Sequence, residues 1–210
     1  MKIFNPLLTN YIECLFSENE IDKSRIGLLN DLTDYIYDKI RKKEKINLVF
    51  ICTHNSRRSH LAHIWAHTAN LHFNLPNIQT FSGGTEESAF NIRAVAALIR
   101  AGFQIENLDT SKSTNQHYLV RFEDEKHNLS MFSKVYDHRV NPKENFAAIM
   151  VCSHADENCP LIPGAEKRFS VPYDDPKDFD GTDQESEKYD ERCLEIAKEM
   201  FYVFERINKK

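Results

Sequence analysis

The chain has 210 residues, 41% of them hydrophobic and 28% charged, with a net charge of −5 at neutral pH. That length supports one domain with a substantial core, and the acidic balance argues against nucleic acid as a partner. No apolar run approaches the length of a membrane span, and the first residues lack the apolar stretch of a signal peptide. A cytoplasmic protein with no membrane partner is expected, and in that compartment five cysteines argue for chemistry rather than a disulfide framework.

Two helices are expected over residues 1–45, as an extension placed before the main fold. Leu8, Tyr11, Ile12 and Leu15 share one helical face, and Leu29, Leu32, Ile36 and Ile40 share another. Lys39, Lys42 and Lys43 suit the C-terminal end of the second helix, where the helix dipole favours cations. From residue 46 the pattern alternates strand and helix: a strand over 46–51, a helix over 59–72, a short strand over 78–82 and a turn at Gly83 and Gly84. A helix over 91–101 follows, with Gly102 well suited to cap it. Residues 118–122 read as a strand, 123–128 as a polar turn and 133–136 as the return strand of an inserted β-hairpin. Strands over 146–151 and 168–171 and a long amphipathic helix over 184–207 complete the chain. The alternation implies an α/β fold: a doubly wound parallel sheet with helices on both faces, forming one domain over 46–210.

In such sheets, sites form at the carboxyl ends of the strands. Cys52 closes the first of them and opens the loop Cys52-Thr53-His54-Asn55-Ser56-Arg57-Arg58-Ser59, after which the helical spacing begins. Loop N–H groups and a helix start suit an oxyanion, and Arg58 can grip two of its oxygens in parallel. The same field favours a thiolate at Cys52, and Ser59 can hydrogen-bond it. A second strand-end cysteine, Cys152, precedes Ser153-His154-Ala155-Asp156-Glu157-Asn158-Cys159-Pro160.

Cys52 to Ser59 resembles the signature loop of low-molecular-weight protein tyrosine phosphatases and of the arsenate reductases sharing their fold. His54 stands where the usual form has Gly, a residue that often marks a positive-φ position, and Arg57 stands where it has a second Cys. Cys152 and Cys159 resemble the redox pair of thioredoxin-coupled arsenate reductases, and Asp175, before Pro176, matches the general acid of the phosphatase branch. Repulsion between Asp174 and Asp175 is expected to raise the pKa of one of them. The resemblance covers about residues 46 to 205. It implies a three-cysteine relay in which Cys52 attacks arsenate held by Thr53, His54, Asn55, Ser56, Arg57, Arg58 and Ser59. Asp175 would help water leave, Cys152 would attack Cys52, and Cys159 would resolve the resulting disulfide. The relay requires a mobile segment after Cys152 and a dithiol partner such as thioredoxin, and it implies no cofactor.

Other readings stay open from sequence. A phosphotyrosine phosphatase would need only Cys52, Arg58 and Asp175, working through a phosphocysteine. A non-catalytic anion-binding or redox-sensing protein is the third reading. The cysteine pair lacks the second pair usual in a zinc site, and His60, His63 and His67 share a helical face without a His-Glu-x-x-His pattern. Cys14 and Cys193 lie in helical patterns and read as structural.

Overall fold

Two apolar runs become the centre of the molecule. Strand β1, Ile46–Cys52, is buried at every position, as is β6, Phe146–Met150. Continuous burial is the mark of strands covered on both faces in a parallel sheet. The structure is a computed structural model, and it describes residues 3–17, 21–109, 113–158 and 161–210. β1 pairs in parallel with β2, Ile78–Gly84, on one side and with β6 on the other. β7, Ala165–Ser170, joins β6, again in parallel. The sheet order is β2-β1-β6-β7. The chain leaves β1 for one neighbour and later returns to the other side of it. The crevice where ligands bind in open α/β sheets therefore falls between the carboxyl ends of β1 and β6.

Helices flank this sheet. Helix α1, Pro6–Ser17, starts on a proline, whose missing N–H costs nothing there, and Asn5 Oδ1 accepts from Leu8 N at 3.0 Å. Helix α2, Lys23–Arg41, is capped by Asp22, which accepts from Ser24 N at 2.8 Å. Helix α3, Arg58–Phe73, is buried over most of its surface and packs on β1, β2 and the long final helix α6, Glu185–Asn208. Helix α4, Ile92–Arg100, is capped by Asn91. Gly102 follows it at φ 102°, and a Cβ there would lie 2.5 Å from Leu8 N. α1 can therefore approach only because residue 102 is glycine. Leu8, Ile12, Leu29, Leu32 and Ile36 share one hydrophobic cluster with the sheet and α6.

Three details differ from the sequence reading. Gly83 and Gly84 are not a turn: they end β2, paired with Ile51 and Cys52. The absence of a Cβ at residue 84 lets the backbone of the Cys52 loop come close. The inserted hairpin is a three-stranded antiparallel sheet of β3, Gln104–Asn107, β4, Tyr118–Arg121, and β5, Leu129–Met131. The return strand is thus 129–131, whereas Val135 makes a lone parallel bridge to Gly84. Finally, the polar segment after Cys152 opens as a short helix, α5, Ser153–Asn158.

Candidate active site

Cys52 ends β1 and is 4% exposed. The five residues after it bend without regular structure and feed into α3 at Arg58. What shapes this loop is the fate of its carbonyls. Cys52 O accepts from Thr85 N at 3.2 Å, and Thr53 O accepts from Glu86 N at 2.8 Å. His54 O accepts from the hydroxyls of Ser133 at 2.9 Å and Ser88 at 3.2 Å. Asn55 O accepts from His60 Nε2 at 2.7 Å, Ser56 O from Asn91 N at 2.9 Å, and Arg57 O from Leu61 N at 3.0 Å. Among the described residues, the N–H groups of 53–57 make no backbone hydrogen bond of this kind. With the carbonyls committed to the scaffold, the arrangement of these donors suits an anion.

The positive φ lies at Asn55 (43°), not at His54. Asn tolerates this conformation better than most residues, and its side chain secures it. Asn55 Oδ1 accepts from Lys134 N at 3.0 Å, and its Nδ2 donates to Ser59 Oγ at 2.8 Å. Ser59 Oγ, already accepting there, has its hydrogen free for Cys52 Sγ, 3.1 Å away. His54 points outward, exposed, with its Nε2 3.5 Å from Glu86 Oε2.

Arg57 and Arg58 converge on one carboxylate. Arg57 Nε donates to Asp175 Oδ1 at 2.8 Å and its Nη2 to Oδ2 at 3.3 Å. Arg58 Nη2 donates to Asp175 Oδ2 at 2.7 Å, and its Nη1 to Tyr173 O at 2.9 Å. Burial alone would raise the Asp175 pKa, but the hydrogen bonds and charges of the two guanidiniums lower it below the ordinary carboxylate value. The expectation of a carboxyl raised by its neighbour is therefore corrected for Asp175. The Asp174 side chain is 98% exposed and turned toward Arg192, whose Nη2 is 3.5 Å away.

Cys152 follows the next strand of the sheet and is fully buried. Its Sγ lies 3.6 Å from Thr53 Oγ1 and accepts from Ala155 N at 3.4 Å. Thr53 Oγ1 is also 3.2 Å from His154 Nδ1. The topology thus brings the second cysteine to the residue next to Cys52. Cys159 lies outside the described residues.

No family model matches the chain. In sequence, arsenate reductase 2 of Staphylococcus epidermidis is 29% identical over 133 residues, 63% of this chain and 80% of that protein. An arsenate reductase of Bacillus licheniformis is 29% identical over 143 residues, 67% and 81% of the two chains. In structure, a low-molecular-weight phosphotyrosine phosphatase from Vibrio cholerae matches with a TM-score of 0.50 at 15% identity, over 77% of this chain and 95% of that one. A solved arsenate reductase in its phosphate-binding state matches with a TM-score of 0.50 at 17% identity, over 77% and 98%. The chain has the fold of the low-molecular-weight protein tyrosine phosphatases and is similar in sequence to arsenate reductases. These relatives and neighbours are enzymes of the arsenate reductase or phosphatase type.

Within that fold, the structure gathers Cys52, Thr53, Asn55, Ser59, Arg58 and Asp175 at one end of the sheet, with Cys152 beside them. Arg57 reaches Asp175, which its place in the loop did not signal. Sequence reasoning also missed the outer scaffold of Thr85, Glu86, Ser88, Ser133 and His60. These are ordinary loop and helix residues whose role appears only once the chain is folded. Of the remaining cysteines, Cys193 is buried and accepts from Trp65 Nε1 at 3.2 Å, and burial pushes its thiol up to about 12. Cys14 lies in α1, as its helical pattern implied, and is exposed. His60 stacks on Phe90 at 4.1 Å between ring centroids, and among the described residues no cluster of His, Cys, Asp or Glu forms a metal site. No described helix is long and apolar enough to cross a membrane.

Proposed function

We propose that the chain is an arsenate reductase that works through Cys52, Cys152 and Cys159. The observation that carries this reading is the second cysteine. Cys152 is buried beside the oxyanion loop, its sulfur 3.6 Å from Thr53 Oγ1. A phosphatase has no use for a thiol at that place, and the similarity to arsenate reductases supports the same choice.

In the proposed reaction the loop amides and Arg58 hold arsenate, and the Cys52 thiolate attacks arsenic as an oxygen leaves as water. Gripping the anion draws Arg58 away from Asp175. The carboxyl loses one of its two cations and gains a nearby anion, so its pKa climbs and it can carry a proton to the departing oxygen. The Cys152 thiolate then attacks Cys52 Sγ. The new S–S bond takes two electrons from the thiols, and the S–As electron pair reduces As(V) to As(III), released as arsenite. Cys159 attacks Cys152, frees Cys52 and leaves a Cys152–Cys159 disulfide. A dithiol of the thioredoxin class reduces that bond by exchange. Such dithiols are kept reduced in the cytoplasm, where this reading places the chain.

The test is a single turnover with arsenate and no reductant, followed by peptide mapping. The expected product is the Cys152–Cys159 disulfide, and in Cys159→Ser the trapped Cys52–Cys152 disulfide. Free thiols after arsenate, together with hydrolysis of an aryl phosphate, would replace this reading with the phosphatase.

A further inference from the structure

His154 lies outside the machinery described so far, yet it is aimed at it. Its Nδ1 is 3.2 Å from Thr53 Oγ1, and the same oxygen is 3.6 Å from Cys152 Sγ. The three groups form a continuous line from a buried thiol, through a hydroxyl, to an exposed imidazole. We propose that His154 is a positioning residue that accepts, through the Thr53 hydroxyl, the proton of Cys152 and so prepares this thiol to attack Cys52. The proposal rests on the reductase reading for the arsenate step.

The chemistry of each group fits its place. Cys152 is fully buried, so its proton has no direct path to water, and only the thiolate is the nucleophile in disulfide exchange. A hydroxyl accepts one proton while donating another. With Nδ1 unprotonated, the imidazole takes the Thr53 hydroxyl proton as the Cys152 proton moves to Thr53 Oγ1. Its exposed ring can then pass a proton to solvent. Imidazole is the side chain best suited to this near neutral pH. The Ala155 N–H, 3.4 Å from the sulfur, remains to solvate the charge left on it. The balance is simple. Cys152 loses a proton to His154, its thiolate forms the S–S bond, the S–As bond breaks, and arsenic takes the electron pair.

The experiment follows Cys52–Cys152 disulfide formation in the Cys159→Ser protein by rapid acid quench and peptide mapping. It is run once with arsenate and once with diamide, an oxidant that activates a thiol for attack without any oxyanion. His154→Ala is expected to slow both by about tenfold or more, less than the roughly hundredfold a base in direct contact contributes, because His154 acts through Thr53. Added imidazole is expected to restore much of the rate. In Thr53→Val the His154 change is expected to have little further effect and imidazole no effect. Thr53→Ser, which keeps the hydroxyl, is expected to retain the response. Equal rates with and without His154 would overturn the proposal. So would a loss that imidazole never restores, since that marks a structural tether between α5 and the loop. Dependence on His154 with diamide, but no disulfide from arsenate in any variant, would uphold the proton path while refuting the reductase reading.

Discussion

Asp175 sits between two guanidinium groups, and its fate separates the roles of the neighbouring arginines. Arg57→Gln removes the paired contact to Asp175 and leaves only Arg58. The Asp175 pKa should rise toward the ordinary carboxylate value. A depressed folded pKa adds stability that is present above the unfolded value of about 3.9 and is lost as pH falls through the folded pKa. The variant should therefore lose roughly 1–2 kcal/mol at neutral pH, the scale of a charged hydrogen bond, and differ less from wild type in acid. Urea unfolding at pH 7 and pH 3 measures this, and an equal loss at both would refute it. Arg58→Lys keeps the charge without the planar fork, so phosphate should bind more weakly by about 1–3 kcal/mol. Calorimetric titration reads that value, and undiminished binding would mean that Arg58 is not the oxyanion ligand. Arg58 draws attention in the sequence because it lies six residues after a strand-end cysteine, and the structure brings it to Asp175. Arg57 does not, because sequence position says nothing of where a long side chain reaches. The backbone strain was misplaced by one residue, from Asn55 to His54. A Gly-to-His change draws the eye, whereas Asn can hold a positive φ without notice.

At the level of elements, the loop after Cys52 is held by neighbours as much as by its own sequence. The end of β2 lies against it: a Cβ on Gly84 would come within 2.7 Å of both Asn55 N and Thr53 O, and 2.2 Å of Glu86 O. All three contacts are backbone atoms, which cannot swing aside. Gly84→Ala should displace the loop and cost stability on the scale of overpacking, about 1–3 kcal/mol. It should also weaken the protection that phosphate gives Cys52 against alkylation. Thermal unfolding together with alkylation mapping tests both, and intact protection in a stable variant would mean the loop does not depend on this approach. The strands and helices that form the sheet were legible, since their apolar periods are long and regular. The strand β5 was not. Its three residues, Leu129–Met131, carry no alternation long enough to read, and the β-rich 133–136 segment beside them is used for another purpose. There, Ser133 holds His54 O and Lys134 N holds Asn55 Oδ1.

For the molecule as a whole, the first two helices are tied to the site. Arg25 of α2 makes a paired contact with Glu199 of α6 at 2.7 and 2.8 Å and donates to Pro172 O at 2.7 Å, just before the segment that carries Asp175. Tyr173 OH donates to the same Glu199 at 2.7 Å. Arg25→Ala would leave a carboxylate that is 2% exposed without its cation, a change that typically costs about 3–5 kcal/mol. The sequence could place these helices by their apolar faces but not assign them this contact, because it joins residues 174 positions apart. A second whole-molecule property follows from the buried histidines of α3. Burial, reinforced by the Lys134 charge, holds His60 and His63 well below the ordinary imidazole value, and burial holds His67 at about 4. Below pH about 6.5 the unfolded chain therefore binds three protons that the folded chain refuses. Each adds about 1.4 kcal/mol per pH unit to the loss of stability, so the slope should approach 4 kcal/mol per unit near pH 5. This is stability present above the unfolded pKa and lost on acidification. His63→Leu fills a similar volume without a titrating ring, so it should remove about one proton from that slope. Urea midpoints at pH 7, 6 and 5 measure it. A variant whose stability falls with pH as steeply as wild type would show that His63 is not among the groups that set the acid limit.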